Sequence, residues 1–363
     1  MRSASFDSGV SRRWRHLAVR VVIASTFVPF VEGGSQLIVS DLGDALRARG
    51  HEVDTVAIPT RSSWDVLLDE ALAMRLLDVD RGSDVLIAIR PPSHALRHPN
   101  KRLWFIHHHR AAYDLWGTQW HDFPAGPEGL AVRDAVRRYD DLYLAEAQRI
   151  FAISRTVADR LQTFNGVDAD VLYPPLGHPE RFFWEEPEDY VFYPSRIVSH
   201  KRQLLAIEAA SHLASDARIV IAGEPDSSGE AELLASLIRE RRLERRVTLM
   251  PRWISESEKA ELIARSLAVL YVPYDEDSCG YVTLEASHAR KAVITCTDSG
   301  GVLELVRDGE NGLVVDPNGP SVAAAIDRLR GDPKWATSLG ARARDALAEK
   351  NASWDRVVDG LTS

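Results

Sequence analysis

Short apolar runs alternate with segments of helical periodicity along almost the whole chain. Four of the apolar runs are typical of buried β-strands: LAVRVVIASTFVPFV, DVLIAI, RLWFIHHH and RIFAIS. Between them, VRDAVRRYDDLYLAEAQ and SRTVADRLQTF carry apolar residues at helical spacing, the second with Ser154 or Thr156 as its N-cap. Strands that alternate with helices in this way predict an α/β fold with parallel sheets.

The alternation is interrupted once, by a stretch rich in proline, aromatic and acidic residues. A second series of strands and helices begins after it at VFYPSRI. A chain of 363 residues with 45% hydrophobic content also suits about two domains. We therefore predict two Rossmann-like domains, residues 1–174 and 190–345, joined by a linker at 175–189.

The charge and the cysteine content of the chain argue against nucleic acid as a partner and against a disulfide scaffold or a zinc site. The chain has 44 basic and 53 acidic residues, a formal net charge of −9, which gives no reason to expect nucleic acid. Its two cysteines, Cys279 and Cys296, are too few for a disulfide scaffold and lack zinc-type companions, as suits a reducing cytosol.

The apolar stretch near the N-terminus resembles a signal sequence because Arg12, Arg13 and Arg15 precede it. However, Arg20 interrupts it, and a glycine turn, an amphipathic helix and a second strand follow. It is better explained as a buried first strand. No apolar run approaches the roughly 18 residues of a spanning helix. We expect a cytoplasmic protein whose membrane contact, if any, is peripheral.

Two motifs at strand ends carry the candidate chemistry. Arg196 and Lys201, in RIVSHK, pair a rigid guanidinium with a mobile ammonium, which suits a diphosphate whose charge grows as it leaves a sugar. Asp277 and Glu285, in DSCGYVTLE, are good acceptors for the hydroxyls of a ribose and a hexose. Together these motifs indicate a site for an activated sugar diphosphate.

The second half of the chain resembles the family 4 retaining glycosyltransferases, because four motifs occur in the order that this family has. They are YPSRIVSHKRQ, LYVPYDEDSCGYVTLEAS, VITCTDSGG and ELVRDGENGLVVDP. That resemblance implies the GT-B architecture, two facing Rossmann-like domains, with residues 346–363 as a helix that returns to the N-terminal domain. It implies that Arg196 and Lys201 neutralise the donor diphosphate and that Glu285 binds the nucleotide ribose. Asp277 fills the first acidic slot, where the family has glutamate, and the neighbouring Glu276 is the alternative.

The resemblance also implies donor-binding roles for several other residues and a contact role for a histidine. Gly280 would let backbone amides approach the sugar, and Arg252 lies where the family positions the base. Of the three consecutive histidines, His107 is favoured as a sugar or acceptor contact, with His109 second. The remaining donor-binding candidates are glycines in two turns: Gly33, Gly34, Gly300 and Gly301.

Two of these regions have plain structural alternatives. Gly33 and Gly34 precede a predicted helix, so their amides suit an anion, although a glycine pair is often only a tight turn. Arg110, Tyr113 and Trp116 lie in an aromatic segment that we expect to face the acceptor, although such residues are as often core. We expect no metal, because three consecutive histidines on a strand end cannot converge on one ion.

The expected function is a retaining transfer of a hexose from a UDP- or GDP-linked donor to a hydroxyl acceptor, with no cofactor. A bacterial surface polysaccharide or a lipid-linked saccharide is the first choice of acceptor, and a small natural product is the second. The alternatives are a sugar phosphorylase or nucleotide-sugar epimerase on the same architecture, or an inactive scaffold that binds sugar nucleotides.

Overall fold

The structure is a computed structural model that describes residues 18–30, 33–61 and 63–363. The basic patch of Arg12, Arg13 and Arg15 lies outside the described residues. The described chain forms two lobes, and each is built on one fully parallel sheet with helices packed against it. This is the α/β architecture that the alternating pattern predicts.

In the first lobe the described residues form a six-stranded sheet in the order β2-β1-β3-β4-β5-β6. Its strands are β1 (Arg20–Phe27), β2 (Glu52–Pro59), β3 (Val85–Ala88), β4 (Lys101–Phe105), β5 (Arg149–Ala152) and β6 (Asp170–Val171). Its helices are α1 (Gly34–Ala48), α2 (Leu67–Leu76), α3 (Pro127–Leu144) and α4 (Arg155–Asn165). The strand order reverses between β1 and β3, so the residues that follow these two strands flank a crevice.

The described part of the second lobe has a six-stranded sheet in the order β12-β11-β10-β7-β8-β9. Its strands are β7 (Tyr190–Pro194), β8 (Arg218–Ala222), β9 (Val247–Met250), β10 (Ala268–Leu270), β11 (Val293–Cys296) and β12 (Gly312–Val315). Its helices are α5 (Gln203–His212), α6 (Ser228–Glu240), α7 (Glu256–Arg265), α8 (Gly280–His288), α9 (Gly319–Gly331) and α10 (Pro333–Glu349). Here the order reverses between β7 and β10, the position at which open α/β sheets bind their ligands.

The final helix, α11 (Trp354–Thr362), packs on the first lobe, although the chain reaches it from the second. Val357, Val358 and Leu361 are buried in the same apolar cluster as β1 and β4. Trp354 packs edge-to-face against Trp104, with ring centroids 6.1 Å apart. The two lobes are therefore joined by a second crossing of the chain in addition to the segment between β6 and β7.

Two local predictions have definite outcomes. Ser154, rather than Thr156, caps α4, because its hydroxyl oxygen accepts a hydrogen bond from the Val157 amide at 3.0 Å. The strand expected to run through the three histidines ends at Phe105. The histidines therefore lie in an irregular segment and do not alternate as strand residues would.

Candidate functional site between the lobes

A cavity of about 390 Å³ lies between the lobes, where the carboxyl ends of both sheets meet. Its first-lobe wall comes from the segments that follow β1, β3 and β4. Its second-lobe wall comes from the segments that follow β7 and β10. The predicted site residues that line it are Gly33, Gly34, His107, Arg110, Arg196, Lys201, Glu276, Asp277 and Gly280.

The basic pair lies on the second-lobe wall, directly after β7. The Arg196 guanidinium is about two-fifths exposed and lies 3.3 Å from the Asp226 carboxylate. Lys201 is more enclosed, and its ammonium bonds to the Glu276 carboxylate and, at 3.0 Å, to the Tyr271 hydroxyl. The two cations thus differ in freedom: Arg196 is open to solvent, whereas Lys201 is held.

The turn that holds Lys201 is fixed by the next residue, Arg202, which the sequence analysis did not single out. Its guanidinium makes two hydrogen bonds of 2.8 Å to the Asp298 carboxylate and also bonds to the carbonyl oxygens of Val272 and Pro273. Arg202 has a positive φ of 58°. These contacts tie the basic turn to the segment that follows β10, which carries the acidic residues.

Glu276 and Asp277 both line the cavity but face different lobes. Glu276 pairs with Lys201 of its own lobe, and although burial alone would raise its pKa, the Lys201 charge lowers it to about 2. Asp277 faces first-lobe cations: Arg160, and Arg110 at 3.6 Å. Glu276 is therefore ionised and already paired with Lys201, while Asp277 joins the two lobes.

Arg160 and Arg110 form an ionic network with three aspartates. Arg160 lies 2.8 Å from a carboxylate oxygen of Asp275 and 3.5 Å from one of Asp114. Arg110 lies 2.7 Å from the same Asp114 oxygen. Arg160, on α4, was missed by the sequence analysis, because a single arginine on an amphipathic helix gives no signal of its own.

A second contact between the lobes centres on Glu304. Its carboxylate accepts hydrogen bonds from the backbone amides of Arg155 and Thr156, at 3.0 and 2.8 Å. It also accepts bonds from the hydroxyls of Thr156 and Tyr173, both at 2.8 Å. A second-lobe carboxylate thus caps the first turn of α4, which favours negative charge at that end.

His107 follows β4 and lines the first-lobe wall. Burial, helped by the nearby Arg90 charge, lowers its pKa to about 4, so the imidazole is neutral at physiological pH. Its Nδ1–H donates to the His108 carbonyl oxygen, which leaves Nε2 as a hydrogen-bond acceptor. A neutral ring of this kind can contact a sugar hydroxyl without adding charge.

The cavity lining includes Arg110 but not His108, His109, Tyr113 or Trp116. His108 is buried and bonds to Asn165 at 2.8 Å, and His109 lies beside Phe123 with ring centroids 5.9 Å apart. Tyr113 donates its hydroxyl to Asp140 at 2.8 Å within a small core cluster, and Trp116 packs on the edge of that cluster. The acceptor-facing roles expected of His109, Tyr113 and Trp116 receive no support from this packing, which is that of core residues.

Several expected donor contacts also lie outside the cavity lining. Glu285 is buried and bonds to Lys259 at 2.6 Å, and burial raises its pKa. Arg252 lies on the surface, paired with Glu258. Gly300 and Gly301 pack against the acidic segment: a Cβ at either would lie 2.6 Å from its backbone. The two glycines therefore have a packing role, since no side chain fits there.

The cavity-lining glycines differ in their surroundings. Gly33 precedes α1 with open space around it, whereas Gly34 begins the helix and lies against the Tyr281 ring. The amides at this helix start can receive an anion.

Among the described residues, no group of three or more His, Cys, Asp or Glu side chains is arranged to hold a metal ion. Within the same residues, no helix is both long and apolar enough to cross a membrane.

The second lobe is similar to a known protein family. Residues 178–346 match the family described as glycosyl transferases group 1. The alpha-maltose-1-phosphate synthase of Mycolicibacterium smegmatis is 29% identical over 208 residues, which are 54% of this chain and 53% of the relative. The chain spans about half the length of the curated relatives it matches. The expected resemblance to group 1 glycosyltransferases is confirmed for this domain.

Solved structures share the whole architecture. A sucrose-phosphate synthase from Thermosynechococcus elongatus superimposes with a TM-score of 0.76 at 18% identity, covering 94% of this chain and 97% of the other. Anabaena HepE, solved in complex with UDP and glucose, gives a TM-score of 0.70 at 15% identity, covering 94% and 98%. The predicted GT-B fold is confirmed.

Proposed function

We propose that this protein, whose residues 178–346 form a group 1 glycosyl transferase domain, is a retaining hexosyltransferase. It moves a hexose from a UDP- or GDP-linked donor to a hydroxyl group of a saccharide acceptor. One observation carries the proposal: Arg196 and Lys201 share a wall of the cavity between the lobes with the ionised Glu276. Cations for a diphosphate and carboxylates for a sugar are thus within one site.

The basic pair suits the leaving group. An ammonium has three N–H donors; Tyr271 and Glu276 take two from Lys201, so one is left for a phosphate oxygen. The more exposed Arg196 can turn its fork of donors toward a second phosphate oxygen. The amides at the start of α1 lie on the first-lobe wall, where they add partial positive charge.

The acidic residues suit the sugar. Asp277 is the candidate for a donor hydroxyl, and Glu276 is the alternative. Because Asp277 also pairs with Arg160 and Arg110, a donor held by this carboxylate would bind to a closed cleft. Closure excludes water, so that transfer outcompetes hydrolysis.

In the proposed reaction the acceptor oxygen attacks the anomeric carbon from the face that the diphosphate leaves. The glycosidic bond forms as the carbon–phosphate oxygen bond breaks, and the acceptor proton moves to a departing phosphate oxygen. Arg196 and Lys201 stabilise the charge that develops on this group. His107, with its pKa lowered to about 4, is a weak base at pH 7 and serves as a neutral contact.

A sugar nucleotide donor is supported by the similarity to Anabaena HepE, which was solved with UDP and glucose. The first acceptor to test is a surface polysaccharide fragment or lipid-linked saccharide, and the second is a small natural product. Inorganic phosphate as a required substrate would indicate a phosphorylase, and an altered but untransferred sugar would indicate an epimerase.

The test replaces each cation by alanine and measures both nucleotide binding and turnover. Arg218→Ala is the matched control for Arg196→Ala, because both side chains are 41% exposed and each pairs with one aspartate, yet Arg218 lies outside the cavity lining. We expect Arg196→Ala and Lys201→Ala to lower kcat more than donor affinity, and Arg218→Ala to change neither.

Thermal stabilisation by UDP and GDP, with and without magnesium, identifies the donor class. Unchanged turnover in both cavity variants would remove the basic pair from the mechanism. Nucleotide binding without transfer to any acceptor would favour an inactive scaffold, and no binding would contradict the proposed site itself.

A further inference from the structure

Tyr271 has an environment that the proposed reaction does not yet use. It directly follows β10, is 3% exposed and nevertheless lines the cavity. Its hydroxyl lies 3.0 Å from the Lys201 ammonium nitrogen, and that nitrogen lies 5.3 Å from the centre of its ring. The residue therefore meets Lys201 through its hydroxyl group.

We propose that Tyr271 is a positioning residue, which fixes the Lys201 ammonium so that its remaining N–H points into the cavity toward the departing diphosphate. This inference rests on the proposed function, because it assumes that Lys201 acts on that group. Lysine is a point charge on a flexible stem of four carbons, so its direction depends on what holds the nitrogen. A second fixed contact beside Glu276 supplies that direction.

The Tyr271 ring is itself held in place, which a positioning role requires. Gly280 makes room for it: a Cβ at this position would lie 2.9 Å from ring carbon Cε1 and 3.1 Å from the hydroxyl oxygen. On another side the Tyr193 ring packs edge-to-face, with centroids 6.5 Å apart, and the Tyr193 hydroxyl bonds to the Lys201 backbone oxygen. Both ends of Lys201 are thus held by tyrosines.

The chemistry of the phenol fits this role. Burial and the neighbouring Glu276 charge raise the pKa of Tyr271 well above its usual value, so the group is neutral at physiological pH. A neutral hydroxyl accepts from the ammonium through its oxygen and still has one proton to donate. Without it, the ammonium would be free to turn wholly toward Glu276, which would leave the diphosphate without a fixed cation.

The test is Tyr271→Phe, which removes the hydroxyl and keeps the ring. We expect kcat to fall about 10- to 100-fold, since small misplacements of a reacting group cost up to about 10²-fold, while the donor KM changes less than threefold. Tyr190→Phe is the matched control, because that buried hydroxyl donates to the Leu262 carbonyl oxygen at 2.8 Å, away from the cavity lining. It should leave kcat unchanged.

A double-mutant cycle separates positioning from packing. If Tyr271 acts through Lys201, Tyr271→Phe should change kcat less than twofold when Lys201→Met is already present. The dissociation constant of UDP or GDP, whichever the wild type binds, gives a second readout that needs no turnover. An equal effect in both backgrounds, or a kcat within twofold of wild type in Tyr271→Phe, would overturn the inference.

These outcomes are distinct from failure of the proposed function. If the wild type neither binds a nucleoside diphosphate nor transfers a sugar, the function is wrong. If it does both, and Lys201→Met lowers turnover while Tyr271→Phe does not, then only the role of Tyr271 is wrong.

Discussion

Arg160→Met should weaken the docking of the two lobes, because Arg160 is a first-lobe residue whose main ionic partners belong to the second. Its guanidinium contacts Asp277 and lies 2.8 Å from an Asp275 carboxylate oxygen and 2.9 Å from the Asp275 carbonyl oxygen. Only 10% of its side chain is exposed, against 11% for Asp277 and 5% for Asp114. Its loss would leave two buried carboxylates short of a cation.

The expected cost follows from these contacts. Removing one partner of a buried ion pair typically costs about 3–5 kcal/mol. Arg110 remains close to Asp114, at 2.7 Å, and to Asp277, at 3.6 Å, so it offsets part of the loss. We therefore expect the free energy of unfolding to fall by an amount near the lower end of this range, about 3 kcal/mol. That corresponds to a change of roughly 100-fold in the unfolding equilibrium constant.

The assay is urea unfolding followed by tryptophan fluorescence, with the radius of gyration from X-ray scattering to detect an open cleft. Arg149→Met is the matched control, since Arg149 lies 3.8 Å from Asp170 and the two side chains are 47% and 77% exposed. Surface pairs of this kind contribute about 0–1 kcal/mol. A loss in Arg160→Met no larger than that of the control would refute the reasoning.

Three further outcomes are expected. Glu304→Ala removes the acceptor for the Thr156 amide and the Tyr173 hydroxyl; loss of the cap should lower the free energy of unfolding by about 1–2 kcal/mol, and an unchanged urea midpoint would contradict this. The pKa of His107 is about 4 in the folded protein, against an ordinary value of 6.5, so protonation of His107 destabilises the fold only as pH falls from 6.5 toward 4. The pH profile of kcat/KM should therefore show no titration of His107 between pH 6 and 8, and a titration in that range that His107→Ala removes would contradict this. Gly300→Ala forces a Cβ to within 2.6 Å of the Glu276 backbone at a φ of 59°; it should cost at least about 1 kcal/mol in urea unfolding, whereas wild-type stability would show that the segment can shift.

The sequence predicts the fold well because both sheets are parallel and buried. Strands such as Val85–Ala88 and Tyr190–Pro194 are buried at every position, so they stand out as short apolar runs between helical segments. The end of a strand is less well defined: the run that contains Trp104 continues in sequence through three histidines, but the strand ends at Phe105. Hydrophobic pattern alone does not show where pairing with a neighbouring strand stops.

The candidate site was only partly predictable, and the reason differs between residues. Arg196 and Lys201 were identifiable because charged residues directly after a buried strand lie at the edge where parallel sheets bind ligands. Tyr271 also directly follows a buried strand, but a tyrosine carries no charge and in that position is usually part of the core. Arg160 gives no signal, because its partners Asp275 and Asp277 lie more than 100 residues away in the other lobe.

The return of the final helix has a consequence for the order in which the protein folds during synthesis. Val357, Val358 and Leu361 complete an apolar core whose other buried members come from the first lobe, and the strands of that lobe leave the ribosome early. Domains generally fold as they emerge, N-terminal first, but this one must wait for more than 180 later residues before its core is closed. The nascent first lobe should therefore expose the Trp104 side of its sheet until the second lobe has been made, and that surface is where a chaperone would bind.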